Sequence, residues 1–198
     1  MARTITRDDI MALDSYGKVR GDSRRRIAAM KEHRRVSVGP FATFYFENRD
    51  TMLHQIHEML YIEKGGEGQV ADEISAYAPL VPNGRELVAT MMIEIEDERM
   101  RRTELSRLGH IEDNITVTIE AGGKRAVAKA VPEDDEQRTT PEGKTSSVHF
   151  LHFPFDEQAI ALFRKSDSRV TLGIEHANYG HMAVLPAAVK AALAADFD

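Results

Sequence analysis

Thirty-two Asp and Glu and eight His, with no Cys at all, set the chemistry open to this 198-residue chain. The missing thiols exclude structural disulfides, thiolate zinc, cysteine-ligated iron–sulfur clusters and cysteine nucleophiles. Carboxylate and imidazole remain, and several carboxylates stand at unusual places. Glu47 ends an aromatic strand, and Glu58 lies on a mostly apolar helix. Glu94 shares a strand face with Thr90 and Met92, and Glu112 follows Gly109-His110-Ile111 in a turn before a strand. Carboxylates gathered near a core need a cation, a proton or hydrogen-bond donors. A hard metal ion such as iron, manganese or magnesium is one answer. Arg side chains or helix N-termini beside each carboxylate are the other.

The histidines divide in the same way. His54 and His57 are three apart, and His54 and Glu58 four apart, on a predicted helix. Both spacings make neighbours on one face, as metal sites in helix bundles require and as simple hydrogen-bonded pairs also allow. In Val148-His149-Phe150-Leu151-His152-Phe153 the two imidazoles point to opposite faces of a regular strand and cannot share an ion. His149 shares its face with Leu151 and Phe153, which predicts partial burial. His176 extends the inward series Val170, Leu172 and Ile174, and is followed by Asn178, Tyr179 and His181 in a turn. Such a cluster forms a pocket rim, or it gives a core histidine its backbone partner. Met52, Met59, Met91 and Met92 read as adaptable core filler. There is no phosphate loop, dinucleotide fingerprint, HExxH or GxSxG, so no standard NTPase, dehydrogenase, zinc protease or α/β hydrolase is expected.

Elements that position these groups follow from periodicity and punctuation. A short helix capped by Thr6 or Asp8 carries Ile10 and Leu13. Gly17 and Gly21 weaken its continuation, and Ser23 caps a second helix over 24–34. Residues 36–47 are β-branched and aromatic and predict strand, bent at Pro40. A helix from Asn48 or Asp50 to Glu63 stops at Gly65, Gly66 and Gly68, and a shorter one covers 70–77. Strand is expected at 86–96, 115–120, 125–131, 147–155 and 169–176. Ala121-Gly122-Gly123-Lys124 marks a hairpin. Helices are expected at 97–108, from Asp156 to about Lys165, and after Pro186. Residues 132–146 lack apolar periodicity and predict a long exposed loop. The sum is an α+β fold, a mainly antiparallel sheet of about six strands packed with helices, with one domain over 36–198.

The first 35 residues hold ten Lys and Arg against five Asp and Glu, while the whole chain carries −6. They form a basic helical arm (1–35) on an acidic body. The arm either folds back on that body or presents Arg24, Arg25, Arg26, Lys31, Arg34 and Arg35 to an acidic partner or to phosphate. Overall acidity argues against nucleic acid as the partner. No apolar run approaches the roughly 20 residues that span a bilayer. The first residues show no secretory h-region, so a cytoplasmic protein is expected.

The run Phe46-Glu47-Asn48, Thr51-Met52, Gln55-Ile56, Glu58-Met59-Leu60 and Glu63 resembles the opening signature of a bacterial family catalogued as a domain of unknown function, number 3501. The agreement continues through Tyr77, Pro79-Leu80, Pro82, Ala89-Thr90, Met92-Ile93-Glu94, Leu108-Gly109, Ile111-Glu112-Asp113, Ser147 to Leu151 and Gly173-Ile174. It closes with His176, Tyr179 and Pro186 to Val189. Positions matching the family's polar signature are Glu47, Gln55, Glu58, Glu63, Glu94, Glu112, His149, His176 and Tyr179. His54, His57, Tyr61 and His152 depart from it. The resemblance implies an accessory role beside a rubrerythrin-like di-iron protein and an iron–sulfur oxidoreductase, in oxidative-stress or redox housekeeping.

Taken together, these expectations describe a redox accessory protein that binds a metal ion (iron, manganese or zinc) or a small ligand. Glu47, Glu58, Glu94, His149 and His176 are the expected metal ligands, and Gln55 and Tyr179 contact the ligand. Homo-oligomerisation stays open. A non-catalytic interaction module using the basic arm is the second reading, and RNA binding through that arm the third.

Overall fold

Strict alternation builds the first sheet. In the computed structural model, which describes residues 4–133 and 138–198, β1 (Arg35–Val38), β2 (Ala42–Phe46), β3 (Glu86–Ile93), β6 (Val131–Pro132) and β7 (Val148–Pro154) form one antiparallel sheet in the order β1-β2-β3-β7-β6. Val36, Val38, Phe44, Phe46, Leu87, Ala89, Met91, Leu151 and Phe153 are buried on its inner face. Residues offset by one, Tyr45, Val88, Thr90, Met92, Val148 and Phe150, therefore share the outer face. Register is direct: Tyr45 lies opposite Thr90, and Thr90 opposite Phe150.

A second antiparallel sheet has the order β5-β4-β8-β9, from β4 (Ile115–Ala121), β5 (Lys124–Lys129), β8 (Arg169–His176) and β9 (Tyr179–Val184). Its Ile115, Val117, Ile119, Val170, Leu172 and Ile174 join the inner face of the first sheet in one core. Helices α4 (Glu98–Arg107), α5 (Glu157–Phe163) and α6 (Ala187–Ala194) contribute Leu105, Phe163 and Leu193 to that core. The outer face of the first sheet is covered instead by α2 (Arg49–Glu63) and α3 (Glu67–Tyr77), with Met52, Ile56, Leu60, Val70, Leu80 and Val88 in a separate cluster. Asn48, Asp97 and Asp156 cap α2, α4 and α5 through side-chain oxygens that accept from Thr51, Met100 and Ala159 N–H.

The α+β class and the antiparallel pairing are as expected, but the strands are nine among the described residues and split between two sheets. Residues 36–47 fold back at Gly39-Pro40 into two strands, with Gly39 at φ +69°. Strand β9 was not anticipated. Gly17 and Gly21 do not interrupt the arm: α1 runs unbroken over Leu13–Glu32. A Cβ on Gly17 would lie 3.1 Å from the Tyr61 ring, so the missing side chain lets α1 approach α2 closely. The exposed loop expected at 132–146 is partly docked. Thr139 and Thr145 are buried and bridge each other, while 134–137 lie outside the described residues. Among the described residues no helix is long and apolar enough to cross a membrane.

Candidate functional site

Where α2 crosses the outer face of the first sheet, the two do not close completely. A cavity of about 350 Å³ remains, lined by Tyr45, Glu47, Thr90, Met92, Val148 and Phe150 from the sheet side. Met52 and Gln55 of α2, Tyr77, Leu80 and the α1 residue Lys31 complete the wall. Glu47 follows β2 directly. Its N–H donates to Val88 O (2.8 Å), so the strand geometry continues and its side chain stays on the outer face. Glu47 is 3% exposed. Thr90 Oγ1 donates to Oε1 at 2.9 Å, and Oε2 has no partner.

Among the described residues three buried side-chain polar atoms lack a hydrogen bond: Glu47 Oε2, Glu112 Oε2 and His149 Nδ1. The last two face each other at 3.6 Å as a potential ion pair, beyond hydrogen-bond distance. Glu47 Oε2 has no such neighbour. The nearby Arg34 guanidinium donates to the backbone carbonyls of Phe46 and Glu47 (2.9 Å each) and pairs with Asp196. A buried carboxylate oxygen without a donor costs roughly 1–3 kcal/mol or more, unless something outside the chain supplies one.

The five residues expected to bind metal are not brought together. Glu58 is held by Arg20 through two bonds (2.8 and 2.9 Å) and by the Tyr16 hydroxyl (2.7 Å). These donors hold its carboxyl down at about 2, with Arg20 the largest cause. The buried Tyr16 hydroxyl is pushed up, by burial first and by Glu58 second. Glu94 is exposed and accepts from Tyr45 Oη at 3.2 Å, one side chain away from the cavity. His149 is fully buried between the sheets. Its Nε2–H donates to Ser146 O (3.0 Å), with Thr145 Oγ1 at 3.2 Å, and burial pushes its pKa down against the opposing pull of Glu112. His176 uses Nε2–H on Gly109 O (3.2 Å) and Nδ1 on Asn178 N–H (3.2 Å). Each finds a local partner, and among the described residues no group of three His, Asp or Glu side chains could hold a metal ion.

Of the two residues expected to touch a ligand, Gln55 lines the cavity with Glu47. Tyr179 does not. Its hydroxyl accepts from Phe41 N–H (2.8 Å) and Ala42 N–H (3.0 Å) and donates to Val38 O (2.8 Å), pinning the β1–β2 turn. His54 and His57 are also satisfied separately: Ser23 Oγ lies 3.1 Å from His54 Nδ1, and His57 Nε2 accepts from Met11 N–H at 2.9 Å. Burial lowers the pKa of both. His152 sits between Glu86 (3.0 Å) and Glu133 (2.6 Å). Burial pulls its pKa down, but the two carboxylates outweigh it and the value is raised.

The basic arm lies mostly on the surface: Arg24, Arg25, Arg26 and Arg35 are exposed. Arg34 is buried, and Arg25 and Arg26 pair with Asp22 and Asp50. Lys31 is partly buried at the cavity, with no side-chain hydrogen bond or ion pair to any described residue. Sequence reading missed Tyr45, Tyr77, Leu80 and Phe150 as cavity walls and Lys31 as its cation. The period-two offset Tyr45, Glu47 against Thr90, Met92 was the one signal available, since it puts these four on one face.

The profile of the family described as "Protein of unknown function (DUF3501)" matches residues 4–197, and the chain belongs to that family. Among solved structures, the chain is similar to a novel protein of unknown function from Burkholderia pseudomallei. The two are 38% identical with a TM-score of 0.89, over 98% of this chain and 100% of the other. No curated protein matches.

Proposed function

We propose that this DUF3501 protein binds a small organic ligand in the cavity between the first sheet and α2, with Glu47 as the polar anchor. The carrying observation is Glu47 Oε2, a buried carboxylate oxygen without a donor at the wall of an otherwise mainly apolar cavity. At about 350 Å³ the cavity is at the small end of ligand pockets, which run roughly 300–1,000 Å³ and combine apolar walls with a few placed polar groups. Gln55 adds an amide that no other described side chain uses. The proposal includes the accessory role beside a redox partner and the cytoplasmic compartment, for which the family resemblance and the sequence are the support.

The test is a small-fragment screen read by ¹H–¹⁵N NMR on the full chain. Ligands should shift the amides of Glu47, Gln55, Thr90 and Phe150 together. If binders cluster elsewhere, or none shifts those amides, the reading fails.

A further inference from the structure

Two formal charges line the cavity, and they do not neutralise each other. Among the described residues Glu47 Oε2 has no donor, Lys31 forms no ion pair, and the two are beyond ion-pair distance of one another. No other ionisable Asp, Glu, Lys, Arg or His lines the wall. A cavity with one anion, one cation and an apolar body of Met52, Tyr77, Leu80, Met92 and Phe150 is complementary in charge neither to a simple cation nor to a simple anion.

We infer that the ligand is a small zwitterion with an apolar body, an amino acid with an apolar side chain being the simplest form. Its ammonium donates to Glu47 Oε2, and its carboxylate accepts from the Lys31 ammonium. Gln55 can serve either end, since its amide both donates and accepts. The apolar body lies on Phe150, Tyr77 and Leu80. The ammonium meets a desolvated carboxylate beside aromatic rings, where both charge pairing and cation–π attraction favour it. Lys31 needs no fixed geometry in the free protein, because its long chain carries a compact charge that swings to meet a carboxylate at the rim. The inference rests on the cavity being a ligand site, and it adds the class of ligand.

Three compounds on one skeleton separate the charges: phenylalanine, 2-phenylethylamine without the carboxylate, and 3-phenylpropionate without the ammonium. Each is titrated into the full chain by NMR with the cavity amides as the readout. Phenylalanine is expected to bind tightest, and loss of either charge is expected to weaken binding roughly tenfold or more, the worth of one charge-assisted hydrogen bond. Lys31→Met should remove the preference over 2-phenylethylamine, and Glu47→Gln the preference over 3-phenylpropionate. The three-compound comparison on the unaltered protein stands even if a variant folds poorly.

If either singly charged compound binds the cavity as well as phenylalanine, the zwitterion class is wrong while the cavity remains a site. If phenylalanine leaves the cavity amides unmoved but fragments of another class shift them, the class again falls alone. If nothing shifts them, both fall.

Discussion

Glu58→Gln tests whether this carboxylate anchors α1. The two Arg20 bonds and the Tyr16 bond hold its carboxyl at about 2 instead of 4.5. At about 1.4 kcal/mol per pH unit, that difference is worth up to about 3 kcal/mol of stability. The value is an upper one: Glu58 and Arg20 side chains are 15% and 28% exposed, so water screens part of it. Because the folded value is depressed, the contribution is complete above pH 4.5 and is lost as pH falls through about 2. Urea unfolding of the wild type and of Glu58→Gln, each at several pH values, isolates it, since other carboxylates titrate alike in both. The variant should be less stable by about 2–3 kcal/mol near pH 6, and the gap should shrink to about half near pH 3. A gap that stays constant over that range, or widens in acid, would refute the anchoring argument. The result bears on the site as well, because α1 carries Lys31 to the cavity.

Three further outcomes follow from the same geometry. Arg34→Met should cost about 3–5 kcal/mol by leaving Asp196 buried without its cation, and pairing it with Asp196→Leu should recover much of the loss in chemical denaturation. Tyr179→Phe should cost about 2 kcal/mol in the same assay, since it strands the N–H groups of Phe41 and Ala42 and the carbonyl of Val38. His152, its pKa raised above 6.5, adds stability that is full below that value and is lost as pH rises through the raised one. The melting temperature of the wild type should therefore exceed that of His152→Gln most at mildly acid pH and converge with it in alkali.

Much of the scaffold was legible because local chemistry decides it. Asn48, Asp97 and Asp156 stand where helices start, the Ala121–Lys124 turn dictates a hairpin, and alternation in Leu87–Ile93 and His149–Phe153 assigns the inner face. What failed was local reasoning overruled at a distance. Gly17 lowers helix propensity, yet in α1 it is the close approach to Tyr61 that matters. Strand β9 was hidden because Tyr179–Val184 mixes glycine, histidine and methionine, and it becomes a strand only by pairing with β8. The site divides the same way. Glu47 and Gln55 stood out by type and place. Glu58 and His149 stood out equally, and only three-dimensional pairing with Arg20, Ser146 and Glu112 distinguishes them from Glu47. Lys31 is one of several arm cations, and nothing in its neighbourhood along the chain marks it as the one that reaches the cavity.

The most direct measurement is a crystal structure of the protein with the tightest binder from the fragment screen. The account predicts that binder between α2 and the first sheet, with a donor atom roughly 2.7–3.2 Å from Glu47 Oε2. A binder seated elsewhere, with Glu47 Oε2 satisfied by the chain itself, would contradict it.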